Sequence, residues 1–550
     1  MRITSVNLAL ALVFWLPASA SHAVTLIVNS SADPATATHA NCSAGNASTC
    51  TLRDAIVAAV GGDTILFAPS VTNIAINTPL TLGSIGNANP ITIDGKGAVT
   101  IDGRSTTSLW HTLLGTQTVM QGLTLQNGYA PIAAGAIANE GTLALTDSIV
   151  SRNTSKSFGG AISNSGSLTV TRSTLSENGV LAAANTASGG AIYNSGRLAM
   201  IDSALSKNSA TFEANGYVGF GGAIYNVGLT TLVNSTANGN IAANYGGAIY
   251  NGGATLVLTN STLSENAASG SGAEGGGIAN FGLGTVEVLN STLANNYATF
   301  AGAGISTSGG IVRLTNSLVA DGCAGPLTDA GGNLDVGTSC GFSSVQSKSN
   351  ARLDLGPLQN NGGSTQTLFP GERSAAIDFT DCGNGPVPPT DQRGVARPQG
   401  SKCDSGAVEV AQFALSLTVT GPGTVFPAIP PVPFSGPSSP CSTSCTFFYP
   451  GEGLGTPVPV TLIGAGVPDG YVVVLGGVGC TEDVLPFIVM SDNRNCTVSI
   501  IPKAAIPVAP VPVTLLERWA QWLLACLLVA VGGLLRRGQI RRDARQTAQH

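Results

Sequence analysis

A chain of 550 residues is too long for one compact core, so it must divide into domains or extend as a solenoid. Gly supplies 71 residues and charged residues only 10%, with 43% hydrophobic; this excludes a charge-rich disordered chain and leaves enough apolar material for a core. A net charge of −6 with no basic stripe gives no electrostatic footprint for a nucleic acid. The first segment in chain order is an address. Arg2, an apolar stretch from Val6 to Leu16 and the small residues up to Ala23 predict a secretory signal peptide over 1–23. The apolar stretch is too short to span a bilayer.

Cysteine usage agrees with export. Ten of the 11 cysteines fall as close couples: Cys42 with Cys50, Cys323 with Cys340, Cys382 with Cys403, Cys441 with Cys445, and Cys480 with Cys496. Local couples in an exported chain predict short disulfide loops. Zinc is the competing reading, weakened because no Cys-x-x-Cys pair exists and histidines are scarce. No cofactor motif is present.

After a strand at Val24 to Asn29, Thr51-Leu-Arg-Asp54 opens a short amphipathic helix with capping-box spacing, so 24–62 is expected to cap the coils downstream. Irregular coils then lead into seven phrases of the type Gly-Gly-Ala-Ile-x-Asn-x-Gly. Their isoleucines are Ile137, Ile162, Ile192, Ile224, Ile249, Ile278 and Ile305, spaced 25, 30, 32, 25, 29 and 27 residues apart. A period in this range with variable insertions is the mark of stacked coils. Each phrase is followed by an alternating strand and an Asn-Ser-Thr-like corner. Leu143, Leu168 and Leu198 head one aliphatic column, Leu145, Val170 and Met200 a second, and Val150, Leu175 and Leu205 a third. The two-residue step between the first columns is a strand's period, and the odd step to the third requires a corner. The prediction over 63–322 is all-β: a right-handed single-stranded parallel β-helix, a pectate-lyase-like solenoid. Stacked Asn139, Asn164, Asn194, Asn226, Asn251 and Asn280 fit a ladder of amides, with a sugar-binding strip as the alternative; Thr307 breaks the row in the last coil.

Three resemblances rest on particular phrases. Gly159 to Ile162 with Leu175 to Asn178 resembles the polymorphic outer-membrane protein repeat. Cys50-Thr-Leu-Arg-Asp-Ala-Ile56 is similar to the Cys-Ser-Leu-Arg-Glu-Ala motif of bacterial exported β-helices. Ala375 to Asp378, Asp391 to Pro398 and Cys403 to Glu409 resemble the choice-of-anchor module, giving a unit at 323–410. Together these imply a bacterial envelope protein without a settled chemistry. Short strands at 411–505 predict a small β domain, which resembles a divergent internalin-type β repeat.

The end of the chain reads as a second address. A Pro-rich linker and sorting motif are expected at 506–518, a transmembrane helix at 519–535 and a basic cytoplasmic tail at 536–550. Seventeen residues would span roughly 26 Å as a helix. Pro512, Thr514, Leu515, Glu517 and Trp519 resemble the exosortase-type sorting signature. That resemblance implies an exosortase-like processing partner, membrane anchoring and then cell-surface display.

β-Helices also host lyases and hydrolases, which require clustered carboxylates on one face. The acidic residues of the coils are scattered. One constellation, Asp147, Arg172 and Asp202, occupies the same template position on successive coils, with the carboxylates roughly 9 to 10 Å apart at two coil steps. A solvated salt ladder is the bland reading. Two functions therefore stand: a non-catalytic surface protein meeting an extracellular glycan or host surface, and a glycan-active enzyme with a non-standard site near Asp202 or Glu213.

Overall fold

The computed structural model describes residues 23–502 except 43–48, 83–88, 183–185, 213–217, 372, 383–386, 429–440, 451–457, 466, 470, 477–479, 481–486 and 491–493. The expected signal peptide, the sorting motif, the 519–535 segment and Glu213 lie outside the described residues.

Like stacks on like. Ile162 pairs in parallel with Ile137 and Ile192, and Leu168 with Leu143 and Leu198, each exposed by 2% or less. Each coil contributes a short Ile-x-Asn strand, a five-residue strand, a corner, a three-residue strand and a brief return strand, as in Ile162–Asn164, Ser167–Thr171, Thr174–Ser176 and Gly179–Ala182. Repetition builds a 21-stranded sheet that bends at the corner, a 10-stranded sheet of Ile-x-Asn strands and a 7-stranded sheet of return strands. The pairing between successive coils is parallel throughout, which is a β-helix. Each buried aliphatic side chain taken from water contributes roughly 1.5–3 kcal/mol, so the columns are the main stabilising element.

The Gly-Gly phrase has a steric reason. Gly159 has φ +56°, and a Cβ on Gly160 would lie 2.1 Å from the Gly190 carbonyl oxygen of the next coil. Only a bare backbone passes there.

Polar ladders satisfy the corners. Asn139 Nδ2 donates to Asn164 Oδ1 at 2.6 Å, Asn164 to Asn194 at 2.7 Å, and the row continues through Asn226 and Asn251 to Asn280. Thr307 Oγ1 takes over as acceptor at 3.3 Å in the last coil. A second ladder, Asn153, Asn178, Asn208, Asn240, Asn266 and Asn296, closes on Asp321. A third runs from each corner amide to the serine of the next coil, from Ser148 through Ser173 and Ser203 to Ser317. These rows take up backbone amides and side-chain donors that a tight corner would otherwise strand.

The ends differ from the sequence-based boundaries. Thr25–Val28 is itself a rung, paired with Thr64–Phe67, which pairs in turn with Ile91–Asp102. The helix Leu52–Ala58 lies over that end with Leu52, Ala55 and Ile56 buried, and its capping box joins Thr51 and Asp54. The stack runs past residue 322, since Thr328–Asp329 and Leu334–Asp335 add further parallel pairings.

Residues 412–502 form a separate β unit around Leu415, Leu417, Phe447, Val498 and Ile500. Gln412–Thr420 lies between Ser444–Pro450 and Arg494–Pro502, with Tyr471–Gly476 beyond; Thr424–Ala428, Val458–Ala465 and Phe487–Met490 form a second sheet. All five expected cysteine couples are disulfides. Cys42 is bonded to Cys50 at the helical end, Cys323 to Cys340 in the last coils, and Cys382 to Cys403 in the segment beyond them. Cys441 is bonded to Cys445, and Cys480 to Cys496, both within the separate β unit.

One part of the expected fold class is corrected. Among the described residues no helix is long and apolar enough to cross a membrane, and the α-helix Leu52–Ala58 has 7 residues. Among the described residues the architecture is an all-β solenoid with a small β unit and contains no membrane-crossing helix; the 17-residue apolar run at 519–535 lies outside them.

Candidate functional site

The corner of each coil begins with one residue in the left-handed region. In order these are Asp147, Arg172, Asp202, Asn234, Asn260, Asn290 and Asn316, with φ between +44° and +51°. Asn and Asp tolerate this region because their short polar side chains bond locally; Arg172 adopts it with strain. The column changes character halfway. Its first three members are charged, and its last four are amides.

Sequence reasoning brought Asp147, Arg172 and Asp202 together, and they do share one column. Arg172 Nε and Nη2 donate to Asp147 Oδ1 and Oδ2 at 2.7 Å each, a bidentate pair about half exposed on both sides. The hydrogen bonds from Arg172 hold the Asp147 carboxyl below its ordinary range, and the Asp147 carboxylate, with Asp202 further off, raises the guanidinium. Asp202 accepts from Asn234 Nδ2 at 3.1 Å. A general acid for glycoside cleavage needs the opposite shift, a carboxyl raised by an apolar pocket. This trio is a solvated charge stack.

From the fourth coil onward the same face is roofed. Residues 365–407 return along the solenoid: Thr365 Oγ1 donates to the Asn234 carbonyl at 2.9 Å, Gln392 Nε2 donates to Thr236 Oγ1 at 2.9 Å, and Gln392 Oε1 accepts from Thr262 Oγ1 at 2.7 Å. Asn260 Nδ2 donates to the Thr390 carbonyl, and Ala407 N donates to Thr292 Oγ1. Thr236, Thr262 and Thr292 are therefore buried, whereas Ile149 at the same register in the first coil is 47% exposed.

The returning segment holds its shape by charge. Arg397 Nη1 donates to Glu409 Oε2 at 2.8 Å with both side chains fully buried, and Arg393 Nη2 donates to Asp391 Oδ2 at 2.7 Å. Asp404 Oδ1 and Oδ2 accept backbone amides of Asp378 and Val410, and Glu409 accepts those of Asp404 and Gln399. Burial, with the Glu409 charge beside it, pushes the Asp404 carboxyl well above its ordinary value, and burial likewise raises Glu409 against the pull of Arg397. Asp391, Asp404 and Glu409 are each taken up by backbone donors or a guanidinium. The Asp391 to Glu409 phrases are scaffolding.

A feature that sequence reasoning missed lies on the sheet of Ile-x-Asn strands. The outward x position carries Tyr193, Tyr225 and Tyr250 on successive coils, with ring centroids 5.3 and 5.1 Å apart and planes nearly parallel. Phe158, Phe220 and Tyr245 flank this row from the adjoining bridge column, edge-on to it at 5.1 Å for Phe158–Tyr193 and 4.8 Å for Phe220–Tyr250. Phe281 closes the top against Tyr245 and Tyr250. All seven rings are partly exposed. Burial raises the Tyr225 hydroxyl and pushes Tyr250 up to about 12, the neighbouring phenols adding to both, so these groups remain protonated donors at neutral pH. The signal was present: one repeat column with an aromatic residue on three consecutive coils. It was overlooked because the alternation assigns that position to solvent.

Among the described residues no group of three His, Cys, Asp or Glu side chains comes together as a metal site. No family model matches the chain, and no curated protein matches it, so the five family resemblances rest on their phrases alone. One solved structure that the chain is similar to is pectate lyase Pel9A, at 13% identity and a TM-score of 0.37 over 71% of this chain and 97% of that one. Likeness at that level carries no argument about activity. The parallel solenoid stands on its own strand pairing.

Proposed function

We propose that this chain is an exported, non-catalytic β-solenoid whose work is contact with an extracellular surface. The observation that carries the reading is the state of the stacked carboxylates: Asp147 is locked in a bidentate, exposed ion pair and Asp202 is hydrogen-bonded to Asn234. The hydrogen bonds from Arg172 hold the Asp147 carboxyl below its ordinary range, opposite to the raised carboxyl that acid catalysis of glycan cleavage requires. Five disulfides support an oxidising compartment outside the cytoplasm. The envelope-protein phrases near Cys50 and from Ala375 to Glu409 point the same way, toward adhesion, matrix contact or envelope structure.

A panel of plant and bacterial polysaccharides tests it. The reading expects no new reducing ends and no unsaturated products. Depolymerisation that disappears in Asp202→Asn would establish the glycan-active alternative instead.

A further inference from the structure

We infer that the aromatic row on the Ile-x-Asn face is a binding site for an uncharged polysaccharide strand lying along the solenoid axis. The inference rests on the contact function proposed above and names its ligand.

Three observations carry it. First, the row is built. Tyr193, Tyr225 and Tyr250 are pinned between fully buried isoleucine and asparagine neighbours, and the flanking rings fix their tilt. Their faces are used against one another, so what reaches solvent is a line of ring edges and phenol hydroxyls. Among the described residues no hydrogen bond occupies the hydroxyls of Tyr193, Tyr225 or Tyr250.

Second, the line has a repeat. Ring centroids step by 5.3 and 5.1 Å along the axis, close to the length of one pyranose unit in an extended chain. Successive sugars would then meet equivalent donors and apolar edges, coil by coil. Aromatic rings that present an apolar body with a polar tip suit such amphipathic ligands.

Third, the columns flanking the row carry no cation. Across the five coils from Ile162 to Ile278, the x position, the bridge column four residues before each isoleucine and the position three after it hold one charged residue, Glu274. Its carboxylate accepts from Ser306 Oγ at 2.7 Å. The charged corners, with Arg172 and Asp147, lie on a different strand of the coil. A patch with many hydroxyl donors and no cation at those positions selects against polyanions such as polygalacturonate.

The test is retardation of the disulfide-bonded chain in native gels containing a soluble β-glucan, a galactomannan or polygalacturonate. Retardation by a neutral polymer is expected, with none by polygalacturonate. The double variant Tyr225→Phe/Tyr250→Phe keeps the stack and removes two hydroxyls, and should bind several-fold more weakly. Tyr193→Ala/Tyr225→Ala/Tyr250→Ala should lower affinity by about tenfold or more, as truncated aromatic anchors do, with an unchanged circular dichroism spectrum. Thr174→Ala, on another face, serves as the control. Absence of retardation by either neutral polymer, retardation confined to polygalacturonate, or neutral-polymer binding that survives the triple variant overturns the site. In that last outcome the contact function stands and acts elsewhere on the chain. Self-association in sedimentation that is lost in the triple variant would make a second copy the occupant and overturn the inference too. Depolymerisation of the gel polymer would instead overturn the contact function itself.

Discussion

The first three and the last four coils of the repeat share one backbone, one set of core columns and one corner geometry, yet their corner residues differ. Asp147 and Arg172 are exposed and Asp202 is partly exposed, while Asn260, Asn290 and Asn316 are buried and the partly exposed Asn234 meets Thr365 of the returning segment. The residue after the next shows the same split: Ile149 is exposed and Thr174 and Ala204 are partly exposed, whereas Thr236, Thr262 and Thr292 are buried and the first two clasp Gln392. A repeat unit thus fixes the fold, and the covering layer decides which side chains each copy carries. Charge is tolerated where solvent reaches. Under the roof Asn260, Asn316, Thr236 and Thr262 bond across the interface, whereas the buried Asn290 side-chain amide has no hydrogen-bond partner among the described residues.

The sharpest way to break this contrast is at the roof's own core. Arg397→Met leaves the Glu409 carboxylate buried without its partner, and a loss of about 3–5 kcal/mol is expected. Denaturant unfolding would measure it, and hydrogen exchange should show the damage at 365–410 and the Thr236–Thr292 face before it reaches Thr174. Next in size is the shared core: Leu205→Ala and Leu263→Ala each create a cavity in the third column, and each should cost about 2–5 kcal/mol by thermal or chemical melting. Near-equal losses there would show that the two halves differ outside and not inside.

Smaller effects probe the surface directly. Thr262→Val removes the hydroxyl that donates to Gln392, costing about 1 kcal/mol, while Thr174→Val in the open half should stay within roughly 0.5 kcal/mol of the parent. The smallest expected change is in pH response. Despite burial, which opposes it, the hydrogen bonds to Asp329 from Ser347, Asn333 and the amides of Ser344 and Gly331 hold its carboxyl below the ordinary value. Its contribution is present above the unfolded value and is lost as pH falls through the lowered folded one. Asp404 behaves oppositely: its raised folded value means that stability is lost as pH rises from the ordinary carboxylate range toward that value. Hydrogen exchange as pH falls below the ordinary carboxylate range should therefore show the 329–347 loop loosening before the segment around Asp404.

Much of the fold was legible in the sequence because stacking is a local rule repeated. Columns such as Leu168 over Leu143 need only the period and the two-residue step, and the Asn139 row needed only a turn residue in register. Close disulfide couples, such as Cys323 with Cys340, Cys441 with Cys445 and Cys480 with Cys496, were legible because each closes a short loop. The roof was not, since Thr236 and Thr262 meet residues 130 positions or more away, and no period encodes such a contact. Aligning the corner column did expose Asp147, Arg172 and Asp202, although their change to Asn from coil four passed unused. The tyrosine row escaped because an outward position in a strand ordinarily means solvent, and only the coincidence of three rings on consecutive coils distinguishes it.

The contrast between open and roofed coils is most directly tested by thiol labelling of two single variants, Thr174→Cys and Thr262→Cys, in the folded, disulfide-bonded chain. The account predicts rapid modification at position 174 and protection at position 262 until the chain is unfolded. Equal rates at the two positions in the native chain would contradict it.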